Sequence, residues 1–202
     1  PAMEPGAILT DVGSVKAPFV RAVEEMELGS VRFVGGHPIA GTEHSGVEAS
    51  FAALYENHRT ILTPTPSSSP EAVESLKSLW EGVGARVDIL DPETHDRVLA
   101  DISHLPHLVA YALVNAALEG DGVSYAAGGF RDFTRIASSS PEMWRDICLD
   151  NQEALLASLA AFEGSLAGLR GAIEGGDGPA LEKAFRRAKE GRDDWLREKG
   201  WS

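Results

Sequence analysis

Apolar and polar positions alternate in short blocks through residues 1–90. Ala7-Ile8-Leu9-Thr10-Asp11 reads as a buried strand. Val15, Phe19, Val23 and Met26 then fall on one helical face, and Ser14 stands where it could cap a helix running through Leu28. Val31 to Gly35 predicts a second strand. Gly36 to Gly46, with its glycines and proline, predicts a loop. Thr60-Ile61-Leu62-Thr63 predicts a third strand, closed by Pro64 and Pro66. Pro70 suits the first position of a helix that turns Val73, Leu76, Leu79 and Trp80 inward. Val87 to Leu90 predicts a last strand. Strands alternating with helices at this spacing imply parallel βα units.

The pattern changes at Asp91, after which one helix follows another. Pro92 to Leu118 predicts a long helix with Pro106 inside it. Proline lacks the amide proton and crowds the Ile102 carbonyl, so a kink is expected there. Glu119 to Gly129 is a glycine-rich loop, and Phe130 to Ala137 a short helix. A helix from Pro141 to about Ile173 is broken by Gly175, Gly176 and Gly178. Pro179 to Lys199 predicts a final amphipathic helix with Leu181, Phe185, Ala188 and Leu196 near one face. The fold class is therefore α/β followed by all-α, with a partial Rossmann-like domain over residues 1–90 and a helical domain over residues 91–202. Only about four strands are expected, fewer than an open parallel sheet usually has, and no G-x-G-x-x-G occurs. The chain thus reads as the C-terminal half of such a sheet domain, without its first βαβαβ half.

Charge narrows the choice of partner. Eighteen basic against 31 acidic residues give a formal net charge of -13. A nucleic-acid binder shows the opposite balance, and no apolar run is long enough to cross a membrane. An anion would gain nothing from the overall field, so an anion site needs a local cluster of cations. The single cysteine, Cys148, leaves no internal disulfide and no cysteine-based zinc site, and a reducing, cytoplasmic setting fits.

Four groups of residues could carry chemistry. His37 follows a predicted strand and is flanked by Gly35, Gly36 and Pro38, at the sheet edge where open α/β folds bind ligands. It reads equally well as a loop histidine bonded to backbone. Ser14 ends the preceding strand in the same way. It could meet His37 across a parallel sheet edge, or only cap its helix. His104 and His107 lie three apart on one helix, with Asp101 a turn before. A metal site is conceivable but lacks an H-E-x-x-H motif, and none is adopted. Arg131 and Arg135 are four apart and could clamp a carboxylate. The plainer reading of Arg131 is a salt bridge, for example with Glu43.

Five segments taken in order, TDVGSVK (Thr10 to Lys16), GGHPIAGTEHSG (Gly35 to Gly46), ILTPT (Ile61 to Thr65), SHLPH (Ser103 to His107) and FRDFTRIASSSPEMWRDI (Phe130 to Ile147), resemble the prephenate and cyclohexadienyl dehydrogenases of tyrosine biosynthesis. The resemblance implies oxidative decarboxylation of prephenate, or of arogenate, with hydride transfer to NAD or NADP. It implies His37 as the catalytic base and Ser14 as the group holding it beside the nicotinamide. Arg135 is implied to bind a substrate carboxylate and His107 to position the substrate. Arg131 and Glu43 would border the entrance, with Trp144 and Asp96 nearby. Asp11, Ser14 and Pro38 would face the cofactor. A homodimer built on the helical domain is implied as well. The competing expectation is a non-catalytic dimerisation or ligand-binding module derived from such an enzyme.

Overall fold

Two pairings organise the sheet region of this computed structural model, which describes residues 3–41 and 46–201. β1 (Ile8–Leu9) and β2 (Arg32–Phe33) pair in parallel, joined through helix α1 (Ala17–Glu24). β3 (Gly35–Ile39), β4 (Arg59–Thr63) and β5 (Arg86–Ile89) form a second sheet in that order, with α2 (Pro70–Gly82) connecting β4 to β5. β4 and β5 are parallel, as βα units require, but β3 runs antiparallel to β4 with His37 opposite Ile61. The predicted loop over residues 36–46 is thus a strand through Ile39. Pro38 is tolerated because β3 is an edge strand.

The core under the sheet is apolar and local. Val34, Leu62, Ala72, Leu76, Trp80 and Ala85 are buried together, with Ile8, Tyr55, Val73 and Val87 packed on them. Ser69 accepts from the Ala72 amide, and Pro70 follows at the first helical position, so α2 starts where the sequence places it.

Helix α1 departs from expectation at both ends. It starts at Ala17 and stops at Glu24, and Ser14 does not cap it. The amides of Lys16 and Ala17 donate instead to the two carboxylate oxygens of Asp96, each at 2.7 Å. A carboxylate at a helix N-terminus meets unpaired amides and the positive end of the dipole, so this distant partner displaces the local serine.

The long helix predicted from Pro92 is interrupted. α3 (Pro92–Leu99) opens with Asp91 accepting from the Thr94 amide. A π-helical turn, Ala100–His104, follows, and Leu105 donates to Ala100 across it. α4 (Leu105–Leu118) then begins, with Pro106 in its first turn. The missing amide of Pro106 removes the bond to Ile102, and the wide turn before it takes up the disruption. Short 3-10 turns and α5 (Gly128–Thr134) lead to α6 (Pro141–Asp150). The expected helix from Pro141 to Ile173 is broken at Asn151, which leaves helical geometry and has a buried side chain. α7 (Gln152–Glu174) follows it.

The chain divides into two compact units, Pro1–Leu155 and Leu156–Ser202. The second consists of the rest of α7 and α8 (Gly178–Lys199). Asp177 caps α8 through the Ala180 amide, and Gly200 closes it in the left-handed conformation at φ 68°. Leu166, Ile173, Phe185 and Trp195 are exposed within this unit. Among the described residues, no helix is long and apolar enough to cross a membrane.

Candidate active site

Burial of polar side chains on the inner face of α3 is the origin of the site. Pro92, His95, Asp96 and Leu99 form its buried stripe, so two titratable groups occupy positions that an amphipathic helix normally gives to apolar residues. Asp96 is 4% exposed and has its oxygens committed: Oδ1 accepts from the Lys16 amide and lies 2.8 Å from His95 Nδ1, while Oδ2 accepts from the Ala17 amide. Burial pushes its carboxyl pKa up. The hydrogen bonds from His95 and the two amides outweigh that, and the net shift is below the usual carboxylate range.

His95 Nε2 lies 2.9 Å from His37 Nδ1, so the row Asp96, His95, His37 runs from the start of α1 to strand β3. His37 is brought down to a pKa of about 3, first by burial and then by the neighbouring charges of His95, Lys16 and His104, against the opposing pull of Asp96. It is therefore neutral at physiological pH.

Around His37 the structure is fixed by a second set of contacts. Asp11 Oδ1 accepts from the Gly36 amide at 3.0 Å, and Asp11 Oδ2 accepts from the Gly13 amide at 2.9 Å. The fully buried Lys16 pairs with Asp11 and donates to the Gly36 carbonyl at 2.9 Å. A β-carbon on Gly36 would stand 3.0 Å from the Asp11 carbonyl, so a glycine allows β3 to lie this close to the turn after β1.

His37 faces a cavity of about 350 Å³ whose wall also includes Pro38, Leu99, Ser103, His107, Arg135, Ser139 and Trp144. His107 Nδ1 lies 2.9 Å from the Ser103 carbonyl, which fixes that nitrogen as the donor. Its ring stacks on Trp144 at 3.6 Å between centroids. Burial lowers the pKa of His107. Its bond to Ser103 opposes that, and the charge of Arg135 adds to the lowering. Behind Trp144, His104 is buried against Asn151, whose Nδ2 lies 3.0 Å from His104 Nδ1 and donates to the Asp96 carbonyl at 2.8 Å. Tyr111 of α4 donates to the Ser139 carbonyl at 2.7 Å, tying α4 to the turn after Arg135.

The residues singled out from sequence separate into two groups. His37, Pro38, His107, Arg135 and Trp144 line one cavity. Ser14 does not: it is half-buried in the turn after β1, and no hydrogen bond joins it to His37. Asp11 clamps Gly36 and Lys16. Arg131 is exposed and pairs with its neighbour Asp132. Asp96, expected near the entrance, lies buried behind His37 with its oxygens taken by three donors. Glu43 lies outside the described residues. Sequence reasoning passed over His95, Lys16 and Asn151. The available signal was the pair His95-Asp96 at the same helical spacing as Pro92 and Leu99.

A family model described as the nucleotide-binding domain of prephenate dehydrogenase matches residues 1–89, and one described as its dimerization domain matches residues 91–187. A cyclohexadienyl dehydrogenase of Zymomonas mobilis is 39% identical over 198 residues, covering 95% of this chain and 67% of that protein. A prephenate dehydrogenase of Bacillus subtilis is 42% identical over 199 residues, covering 96% and 54%. Among solved structures, the prephenate dehydrogenase of A. aeolicus in complex with hydroxyphenyl propionate and NAD+ superposes with a TM-score of 0.89 at 45% identity, covering 95% of this chain and 68% of that one. The arogenate dehydrogenase of Synechocystis gives 0.82 at 34% identity, covering 95% and 70%. The chain spans from about half to two thirds of the length of the curated relatives it matches.

Proposed function

The chain belongs to the prephenate dehydrogenase family, and from that premise we propose that it acts in the oxidative decarboxylation of prephenate to 4-hydroxyphenylpyruvate, with hydride transfer to NAD or NADP, in tyrosine biosynthesis. The observation that carries this reading is a neutral imidazole, His37, sharing one cavity with the guanidinium of Arg135. A base and a fixed cation together suit a substrate that carries both a hydroxyl and carboxylates.

The residues present fit the nicotinamide end of such a cofactor. Val12 and Gly13 are exposed at the carboxyl end of β1, the edge at which open α/β sheets take ligands. Asp11 shapes that turn through its bonds to the Gly13 and Gly36 amides, Ser14 follows it in the chain, and Pro38 lies two residues beyond Gly36. The chain has no glycine-rich pyrophosphate turn, so these residues would hold only the nicotinamide end. A bound nicotinamide dinucleotide supplies the acceptor for the hydride that leaves the ring carbon bearing the hydroxyl. His37 takes the hydroxyl proton on its unprotonated nitrogen. Arg135 binds a substrate carboxylate, and His107, flat against Trp144, positions the ring. Loss of carbon dioxide leaves its bonding pair in the ring, which becomes aromatic, and His37 returns the proton to the phenolate oxygen.

The same reading assigns residues 1–90 to the cofactor side and residues 91–202 to substrate binding and dimerisation. Exposed Leu113 and Leu118 on α4, with Leu156, Leu166 and Ile173 on α7, support a homodimer. A cytoplasmic location accords with the chemistry. Arogenate, which carries an ammonium in place of the keto group, is the alternative substrate.

The test is formation of reduced nicotinamide by the purified protein given prephenate and NAD or NADP. The proposal expects turnover in the wild type and a loss of about 10²- to 10⁴-fold in His37→Asn. Unchanged turnover in His37→Asn would remove the base assignment. A wild type that binds a hydroxyphenyl carboxylate but turns nothing over would make the chain a ligand-binding module.

A further inference from the structure

His95 and Asp96 form no part of the cavity wall, yet they stand in line with the one imidazole assigned to proton transfer. His95 is fully buried, and Asp96 nearly so. Neither is explained by packing alone, because burying a carboxylate and an imidazole is costly unless each polar atom is partnered.

The partners dictate the protons. Asp96 receives the amide N–H groups of Lys16 and Ala17, which can only donate, so it is held as an acceptor. His95 Nδ1, 2.8 Å from Asp96 Oδ1, must then carry a proton, and with that single proton on the ring its Nε2 is bare. His37 Nδ1 lies 2.9 Å from that bare nitrogen and must be the donor. This leaves Nε2 as the unprotonated nitrogen of His37. The backbone start of α1 therefore selects, through two side chains, which nitrogen of a third accepts a proton.

We propose that His95 and Asp96 are positioning residues for His37: the row running from the α1 amides through Asp96 and His95 fixes the His37 ring with its proton on Nδ1 and its lone pair on Nε2. An isolated imidazole prefers the opposite tautomer, with the proton on Nε2, which would block the lone pair needed for the reaction. The inference rests on the assignment of His37 as the base, but its structural half stands independently. In the reaction, Nε2 gains the substrate hydroxyl proton while Nδ1 keeps its own, and the positive charge so formed is stabilised along His95 toward the Asp96 carboxylate. Asn151 adds support by holding the main-chain carbonyl of Asp96. The logic parallels the carboxylate–histidine pairs of hydrolases, in which the buried acid acts by setting the tautomer.

The test reads the tautomer directly, by two-bond proton–nitrogen correlation on the full chain labelled with 15N-histidine at pH 7, with His37→Asn identifying the His37 signals. The expected wild-type result is a protonated Nδ1 and a bare Nε2. His95→Phe removes the acceptor and should return His37 to the Nε2-protonated form. His95→Gln keeps an acceptor oxygen at the same reach and should preserve the wild-type tautomer. With prephenate and NAD, His95→Phe should lose about 10²-fold or more in kcat with KM changed less than about threefold, and His95→Gln should recover most of that loss. A wild-type His37 protonated on Nε2, or a tautomer unmoved in His95→Phe, overturns the proposal. The wild-type measurement does not use His95→Phe, so a misfolded His95→Phe leaves the proposal open to refutation. Turnover surviving in His37→Asn would refute the base assignment alone, while the tautomer would still decide the role of His95 and Asp96.

Discussion

His107 lies flat on Trp144, with ring centroids 3.6 Å apart and planes 19° from parallel. The indole forms a platform, and the bond between His107 Nδ1 and the Ser103 carbonyl sets the rotation of the ring upon it. One imidazole edge is thereby fixed in the cavity wall by stacking and by a backbone bond.

Replacing the platform should show this. Trp144→Leu is expected to raise KM for prephenate about tenfold and leave kcat within about threefold, because aromatic pairs of this kind contribute about 0.5–1.5 kcal/mol beyond their burial. The same variant should lose about 3 kcal/mol of stability through the cavity it opens. Trp144→Phe should keep most of both. Steady-state kinetics and urea unfolding measure the two effects.

Arg135 is the cation in the cavity wall. Arg135→Ala is expected to weaken substrate binding by about 2 kcal/mol, roughly thirtyfold in KM, and Arg135→Lys to restore only part of it, since a point charge lacks the paired geometry of a guanidinium. A KM unchanged in Arg135→Ala would remove the carboxylate from this side chain.

Lys16 has no exposed surface, and its charge is matched by Asp11. Burial lowers its pKa, and the hydrogen bond and charge of Asp11 work against that. Lys16→Met should cost about 3–5 kcal/mol, because it leaves the partner carboxylate uncompensated. Lys16→Met combined with Asp11→Asn should cost clearly less than Lys16→Met alone. Urea midpoints of the two variants decide the point.

Two imidazoles, the half-buried His37 and the buried His104, make stability depend on pH in a definite direction. His37 has its pKa lowered to about 3 and His104 to about 4, in both cases chiefly by burial. Between those values and the unfolded value near 6.5, the unfolded chain binds more protons than the folded one. Stability is therefore complete above pH 6.5 and is lost as the pH falls. Each imidazole accounts for roughly 1–2 kcal/mol of that loss by pH 5. The groups facing them are Lys16 and Asp11, His95 and Asp96, His107, and Arg135. Unfolding measured at pH 7.5 and pH 5 should show the loss, and His104→Gln should lose less between the two.

Much of this arrangement was legible in the sequence, and the exceptions have physical causes. The change from βα units to helices at Asp91 followed from periodicity, and Pro70 and Pro141 marked helix starts correctly because proline needs no amide partner there. His37, His107 and Arg135 stood out as site candidates from their neighbours in sequence, Pro38 and Trp144 only through the family resemblance, and all five line the cavity. Ser14 misled because local capping chemistry was overridden by Asp96, about eighty positions away in sequence. Asn151 was missed because its side chain ends α6 by bonding to Asp96 and His104, contacts that no local pattern records. His95 was missed because a buried polar pair looks, in one dimension, like an ordinary solvated helix face. The antiparallel β3 was hidden by glycines and a proline, which read as a loop until the edge position is known.

The wide turn at Ala100–His104 gives the segment a constraint of a different kind. Each residue in a regular helix advances the azimuth by about 100°. Removing any one residue from this turn would leave a well-formed helix, with apolar side chains still available for the core. It would also swing His104 and His107 around the axis, away from Asn151 and from the indole. Descendants of this chain can therefore vary an exposed position of the turn such as Ile102, but not the number of residues in it.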